Sequence, residues 1–190
     1  MNWKVNNYQT WNYKKLNKNN SKYSAGILPY TYNVDGKCLF LLGKDNEGDW
    51  SDFGGKAEYK DFNEPQKTAC REFYEETLGV VLDYDDCYQK VNNGNPIKII
   101  SKTLNGSPYY MYLLYIEHHN HTDHFNKTSN FLKYLRYNNR IFEKSSIRWF
   151  TIDTLLNCID NKQSGGPISL RGVFHKTIEL SKEQIILLNN

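Results

Sequence analysis

The sequence predicts an α/β fold, an α/β/α sandwich built on a mixed sheet. Two patterns predict it: short apolar runs closed by Asp-Gly or Asn-Gly turns read as strands, and capped segments with apolar residues three and four apart read as helices. A length of 190 residues with 39% hydrophobic and 15% aromatic content suits one domain with a core and excludes a disordered chain.

Residues 1–22, rich in Asn, Lys, Tyr and Trp without periodicity, are set apart as a basic, aromatic-bearing arm, and 23–190 as the domain. "SAGILPYTY" and "KCLFLLGKD" flank "NVDG", whose Asp-Gly signals a β-hairpin. "GDWSDFGGK" gives a short strand ending in a double glycine. In the segment that follows, Asn63 serves as N-cap, Pro65 sits in the first turn and Gly79 closes a helix of about four turns. Strands follow at "PIKIISKT" and "YYMYLLYIE" around the turn "NGSP", and a further strand at "SIRWFT". Helices are expected over 130–138, 153–160 and 168–180, with "QSGGP" as a loop before the last.

A net charge of +3 names no partner by itself, but leaves room for polyanions such as nucleotides or RNA. Cys38, Cys70, Cys87 and Cys158 lie far apart without a C-x-x-C pair, which suits free thiols in a reducing compartment and leads us to expect a cytoplasmic protein. The first twenty residues lack the apolar core of a signal peptide, and no apolar run is long enough to span a bilayer, so no membrane role is expected.

The chemistry concentrates in "ACREFYEETLGV". At 100° per residue Glu72, Glu75 and Glu76 fall in one stripe, while Cys70, Phe73 and Thr77 turn toward the core. Clustered carboxylates are the hard oxygen donors that Mg²⁺ or Mn²⁺ prefers. Arg71, four residues before Glu75, is placed to pair with it. A solvated acidic face is the competing reading of this helix alone. Upstream, Gly54-Gly55-Lys56 favours a site, because it offers close backbone approach to phosphate, a carbonyl for a metal and a lysine charge.

Residues 54–80 resemble the box of the Nudix hydrolases, G-x5-E-x7-R-E-U-x-E-E-x-G-U, with U an apolar residue. Arg71, Glu72, Phe73, Glu75 and Glu76 fall on R-E-U-x-E-E without a gap. The box's first glutamate falls on Asn63, two residues are added between Gly55 and the helix, and Leu78 is added before Gly79. Asp61 or Glu64 is the candidate substitute for the missing glutamate.

The resemblance implies a Nudix-type sandwich and a Mg²⁺- or Mn²⁺-dependent pyrophosphohydrolase acting on a phosphoanhydride. It makes Glu75 and Glu76 metal ligands, Glu72 a ligand or the base, Arg71 the residue that orients them, and the Gly54 carbonyl a further ligand. Family members recruit another glutamate from outside the box; Glu143 is the candidate and Glu117 the runner-up. The arm and the aromatic supply tilt the expected substrate toward capped RNA, hence mRNA decapping and RNA binding. Soluble nucleotides, inositol pyrophosphates and a catalytically silent nucleotide- or RNA-binding domain stay open.

Tyr30 and Tyr32 share one strand face, and Tyr110 and Tyr112 another, where they stack on a base or simply pack. Trp50, beside the box, is the candidate pocket wall, with Lys56 as a substrate contact, while Trp149 is expected in the core. "HHNHTDH", from His118 to His124, reads as a polar loop rather than a zinc site. Arg171 is placed for a phosphate or a surface pair.

Overall fold

The computed structural model describes residues 23–136, 142–160 and 168–189. The amino-terminal arm and the "QSGGP" loop lie outside these residues. Among the described residues seven strands form an open mixed sheet: β1 (Ser24–Tyr32), β2 (Cys38–Asp45), β3 (Trp50–Ser51), β4 (Phe53–Lys56), β5 (Ile97–Lys102), β6 (Pro108–Tyr115) and β7 (Lys144–Thr151).

β1 is the axis of the sheet. One edge pairs in parallel with β6, from Ser24 opposite Tyr109 to Tyr30 opposite Tyr115. The other edge is divided: Ser24 to Ile27 face β4, and Tyr30 to Tyr32 face β2, both antiparallel. β2 in turn pairs with β3 and β7, and β5 closes the far side against β6. In the β1–β2 hairpin the predicted turn is present, with Gly36 at φ +75° donating its N–H to the Asn33 carbonyl at 2.9 Å.

Alternation along the strands separates two cores. Ile27, Leu41 and Ile147 point to one side, where α1 (Pro65–Glu76), α2 (Tyr84–Asn93) and α3 (His121–Tyr134) pack through residues such as Phe73, Cys87 and Phe125. Leu28, Phe40, Leu42 and Met111 point to the other, against α4 (Ile152–Asp160), α5 (Gly172–Leu180) and the short α6 (Lys182–Ile186). The expected α/β/α sandwich is the observed one. No described helix is long and apolar enough to cross a membrane.

Several expected boundaries move. Glu64 rather than Asn63 is the N-cap of α1, with Pro65 at its first position. The two added residues are taken up by a 3₁₀ turn (Tyr59–Asp61) and by Phe62 and Asn63 at φ +53° and +60°. The left-handed region is easy for asparagine and strained for phenylalanine. At the other end Leu78 and Gly79 both take positive φ, +56° and +68°, and Gly79 donates to the Tyr74 carbonyl. The added residue therefore lengthens the exit turn and leaves the carboxylate face of α1 intact.

α2 was not expected. Its apolar signal is only Tyr84, Cys87 and Val91 in a polar, acidic segment, yet Asp83 caps it by accepting the Asp86 N–H at 2.8 Å. α3 begins at His121, well before residue 130, with Asn120 as its cap. His121 and His124 thus belong to a helix and not to the expected polar loop.

Candidate active site

The guanidinium of Arg71, 7% exposed, organises the acidic helix. Its Nε and one terminal nitrogen reach both oxygens of Asp61 at 3.0 Å. The other terminal nitrogen donates to Glu72 at 2.8 Å and Glu75 at 3.0 Å, and the fifth N–H goes to the Lys56 carbonyl at 3.0 Å. All five donors are used. Asp61, 2% exposed, also accepts from the Glu58 N–H and the Thr68 hydroxyl.

Burial opposes both charges, and their mutual hydrogen bonds win: the Asp61 carboxyl lies below the usual range and the Arg71 guanidinium above its own. Of the two candidate substitutes for the box glutamate, it is Asp61 that meets Arg71; Glu64 is drawn to Lys67 and the Tyr88 hydroxyl.

Glu72 and Glu76 are less well compensated. Glu72 leans over Gly55, where any Cβ would stand 2.6 Å from its carboxylate. Glu76, 4% exposed, accepts the Gly54 N–H at 2.9 Å and lies 3.3 Å from the buried amino group of Lys144. Lys144 also reaches the Ser51 hydroxyl at 2.9 Å, tying β7 to β3 beneath the site. Burial pushes Glu72 up to about 7, against the pull of Arg71. It pushes Glu76 to about 8, against Lys144, and Glu72, Asp52 and Glu143 add to the rise.

The expected convergence of three carboxylates is not what the structure shows. Glu75 is half exposed and its oxygens lie between Arg71 and Lys60. Among the described residues no group of three or more His, Cys, Asp or Glu side chains is arranged to hold a metal ion. Two hard carboxylates one turn apart still fit Mg²⁺ or Mn²⁺, which bind through one or two carboxylates and complete their shells with water and phosphate oxygens. Burial, with neighbouring carboxylates adding to it, lifts Glu72 and Glu76, and a bound cation would favour their ionised forms.

On the other face of β4 a cavity of about 380 Å³ opens. It is lined by Asp52, Gly54 to Lys56, Tyr109, Arg171 and the β5–β6 turn from Thr103 to Asn105. Asp52 is buried, and its carboxyl is lifted to about 6 by burial, against a hydrogen bond from Tyr109 and the charges of Lys144 and Arg171. A second cavity, of about 230 Å³, shares Arg171 and is bounded by Glu76, Glu143 and Lys144.

The structure thus brings Arg71, Glu72, Glu76, Gly54, Lys56, Arg171 and Glu143 to one edge of the sheet. It does not bring the tyrosines there. Tyr30 and Tyr32 pack with Tyr115 at the far end of β1, about 13 Å along the strand from the Gly26–Gly54 pairing. Glu117 follows β6 at that same distant end, paired with His119. Trp50 does line a pocket, but a separate one with Lys44, Arg148 and Phe150. His118 and His121 gather around Trp149, which is only partly buried. Asp52, Tyr109 and Lys144 carried no signal in the sequence; a lysine heading a strand and an aspartate between Ser51 and Phe53 belong to no spacing rule.

No family model matches the sequence, and no curated protein matches it either. Solved structures do. A Nudix hydrolase from M. smegmatis, RenU, is 11% identical, with 88% of each chain covered and a TM-score of 0.51. The NUDIX domain of Shewanella oneidensis NrtR, solved with ADP ribose, is 15% identical, with 86% of this chain and 87% of its own covered and a TM-score of 0.50. At such identities the likeness speaks for the backbone alone: the chain has the Nudix fold.

Proposed function

We propose that this protein is a metal-dependent pyrophosphohydrolase of nucleoside diphosphate-linked substrates. The observation that carries the reading is the pair of buried, under-compensated carboxylates, Glu72 and Glu76, set against the Gly54–Gly55 backbone. Mg²⁺ or Mn²⁺ bound there would screen the phosphates and acidify water.

The chain's own residues do the rest. Glu76 and Glu72 would hold the cation with the Gly54 carbonyl, and Arg71 keeps Glu72 in place. Glu75, in this reading, orients Arg71 from outside. Lys56 and Arg171 bind the phosphate oxygens. Water attacks one phosphorus, a new P–O bond forms as the anhydride P–O bond breaks, and the leaving phosphate carries away the electron pair. Glu143, across the smaller cavity from Glu76, takes the water's proton, with Glu72 as the other candidate base.

The ADP ribose bound by NrtR is itself a nucleoside diphosphate-linked compound, which supports the substrate class. Within it capped RNA is slightly favoured, for the basic and aromatic arm at 1–22; soluble nucleotides and inositol pyrophosphates stand almost level. A catalytically silent domain is the less favoured reading, because Asp61 compensates on Arg71 for the departure at Asn63.

The test is a product-release screen over capped RNA, dinucleoside polyphosphates, nucleotide sugars and inositol pyrophosphates, with Mg²⁺, Mn²⁺ or EDTA. Hydrolysis of at least one class that EDTA abolishes is expected. Nucleotide binding without any turnover would instead establish the silent domain. For capped RNA, deletion of residues 1–20 should weaken binding and flatten its salt dependence; an unchanged affinity would count against RNA.

A further inference from the structure

The cavity beneath β4 contains a buried acid that the proposed hydrolysis leaves unused. Asp52 is 4% exposed and lines the cavity. Its Oδ2 accepts a hydrogen bond from the Tyr109 hydroxyl at 2.5 Å, and its own backbone N–H also acts on the carboxylate. Lys144 and Arg171 act on it through their charge, yet neither forms an ion pair with it. A carboxylate taken out of water with a single partner side chain hydrogen-bonded to it and no ion pair is costly, and chains that keep one gain something for it.

The fold makes special room for this acid. A Cβ at Gly26 would collide with the Tyr109 hydroxyl and stand 2.9 Å from Asp52 Oδ2; a Cβ at Gly54 would stand 2.6 Å from the same hydroxyl. Two strand glycines, paired across β1 and β4, leave space for the Tyr109–Asp52 pair. Packing alone would be better served by apolar residues there.

We infer that Asp52 is a specificity-determining residue that reads the N–H edge of a guanine base bound in this cavity. An ionised carboxylate only accepts hydrogen bonds. Guanine presents its N1–H and N2 amino group side by side, with no acceptor between them. Adenine and cytosine set a ring-nitrogen acceptor beside their amino group, and uracil flanks its N–H with two carbonyls, so each would turn a lone pair toward the negative oxygen.

The volume, about 380 Å³, lies within the range of small-ligand sites. Leu104, Val173 and Phe174 supply apolar walls, and Arg171 is common to this cavity and the one beside Glu76. A base on Asp52 would therefore lead its phosphates past Arg171 to the acidic edge. The inference rests on the proposed hydrolase reading and narrows it to a guanosine diphosphate linkage.

The experiment compares hydrolysis of guanosine, inosine and adenosine dinucleoside polyphosphates by the wild type and by Asp52→Asn, which keeps the shape and can still accept from Tyr109. Wild type should favour guanosine over inosine, which lacks the N2 amino group, by about tenfold in kcat/KM, mostly through KM. In Asp52→Asn the ratio should fall toward one.

A wild-type ratio near one overturns the inference and leaves the hydrolase reading standing. A strong wild-type preference that Asp52→Asn retains at full size reassigns the reading to another residue and overturns it too. Thermal shifts with GDP, IDP and ADP give the same comparison without turnover. A GDP preference that disappears in Asp52→Asn, with no hydrolysis of any substrate, supports the base assignment and removes the enzyme. If Asp52→Asn does not fold, Asp52→Ser gives the same comparison, and a guanosine preference retained at full size overturns the inference.

Discussion

Two buried polar clusters flank the same strand, β4, and they are built on opposite principles. Around Arg71 every donor has an acceptor: five N–H groups meet Asp61, Glu72, Glu75 and the Lys56 carbonyl. Around Glu76 and Asp52 the charges of Lys144 and Arg171 do not offset the loss of water, and burial drives both carboxyls upward, to about 8 and about 6. A satisfied cluster holds a shape, whereas an unsatisfied one has capacity left for a ligand. That difference separates scaffold from reaction edge more sharply than distance does.

The largest expected effect falls on the satisfied side. Arg71→Ala leaves Asp61 buried without its partner, and loss of one member of such a pair costs about 3–5 kcal/mol of stability. Urea unfolding checks it, and a loss below about 1 kcal/mol would show that the cluster is not the scaffold described. The pH dependence carries the same information. The folded Asp61 carboxyl lies below its unfolded value of about 3.9, so its contribution is present above that pH and is lost as pH falls through the lower, folded value. Asp61→Asn should flatten that acid limb.

On the unsatisfied side the order of effects reverses, with activity failing before stability. Glu76→Gln removes the charge, keeps the volume and leaves an oxygen for the Gly54 N–H. We expect turnover to fall at least ~10²-fold. The metal-free melting temperature should fall less than in Arg71→Ala: Lys144 loses its carboxylate partner, but burial already disfavours the ionised glutamate and Ser51 still accepts from Lys144. Wild-type-like rates at saturating Mg²⁺ would remove Glu76 from the proposed ligand set.

The two clusters were not equally legible in the sequence. The helix, its carboxylate stripe and its buried Cys70, Phe73 and Thr77 follow from periodicity, and the β1–β2 hairpin from its Asp-Gly turn. Asp61 was one of two acids in the right stretch, and only the left-handed turn at Phe62 and Asn63 brings it back beneath Arg71. Tyr109 and Lys144 come from β6 and β7 and Asp52 from the link between β3 and β4, and their meeting depends on register, which local pattern does not encode. The same limit explains Tyr30 and Tyr32: alternation gave their face of the sheet and said nothing about which end of β1 the site occupies.

Gly55→Ala probes the border between the clusters. The new Cβ would stand 2.6 Å from Glu72, whose carboxylate is held by Arg71 and has little freedom to retreat. Misplacing one reacting group by a fraction of an ångström should cost about tenfold in turnover. Arg71 and Asp61 should hold the unfolding free energy within about 1 kcal/mol. A large stability loss with normal turnover would invert the assignment of the two sides.

The smallest effect comes from a second cation on the same carboxylate. Lys60 lies 3.4 Å from Glu75 and 3.3 Å from Glu58, as ion pairs do, but its side chain is 56% exposed where that of Arg71 is 8% exposed. Water and salt screen the exposed pair, and ordering a flexible lysine offsets much of what remains. Lys60→Ala should therefore shift stability by no more than about 0.5 kcal/mol. In a double-mutant cycle Glu75 should couple to Arg71 several times more strongly than to Lys60, and the Lys60 coupling alone should vanish in high salt. Equal couplings would mean that the contrast between the clusters reflects the number of hydrogen bonds and not their removal from water.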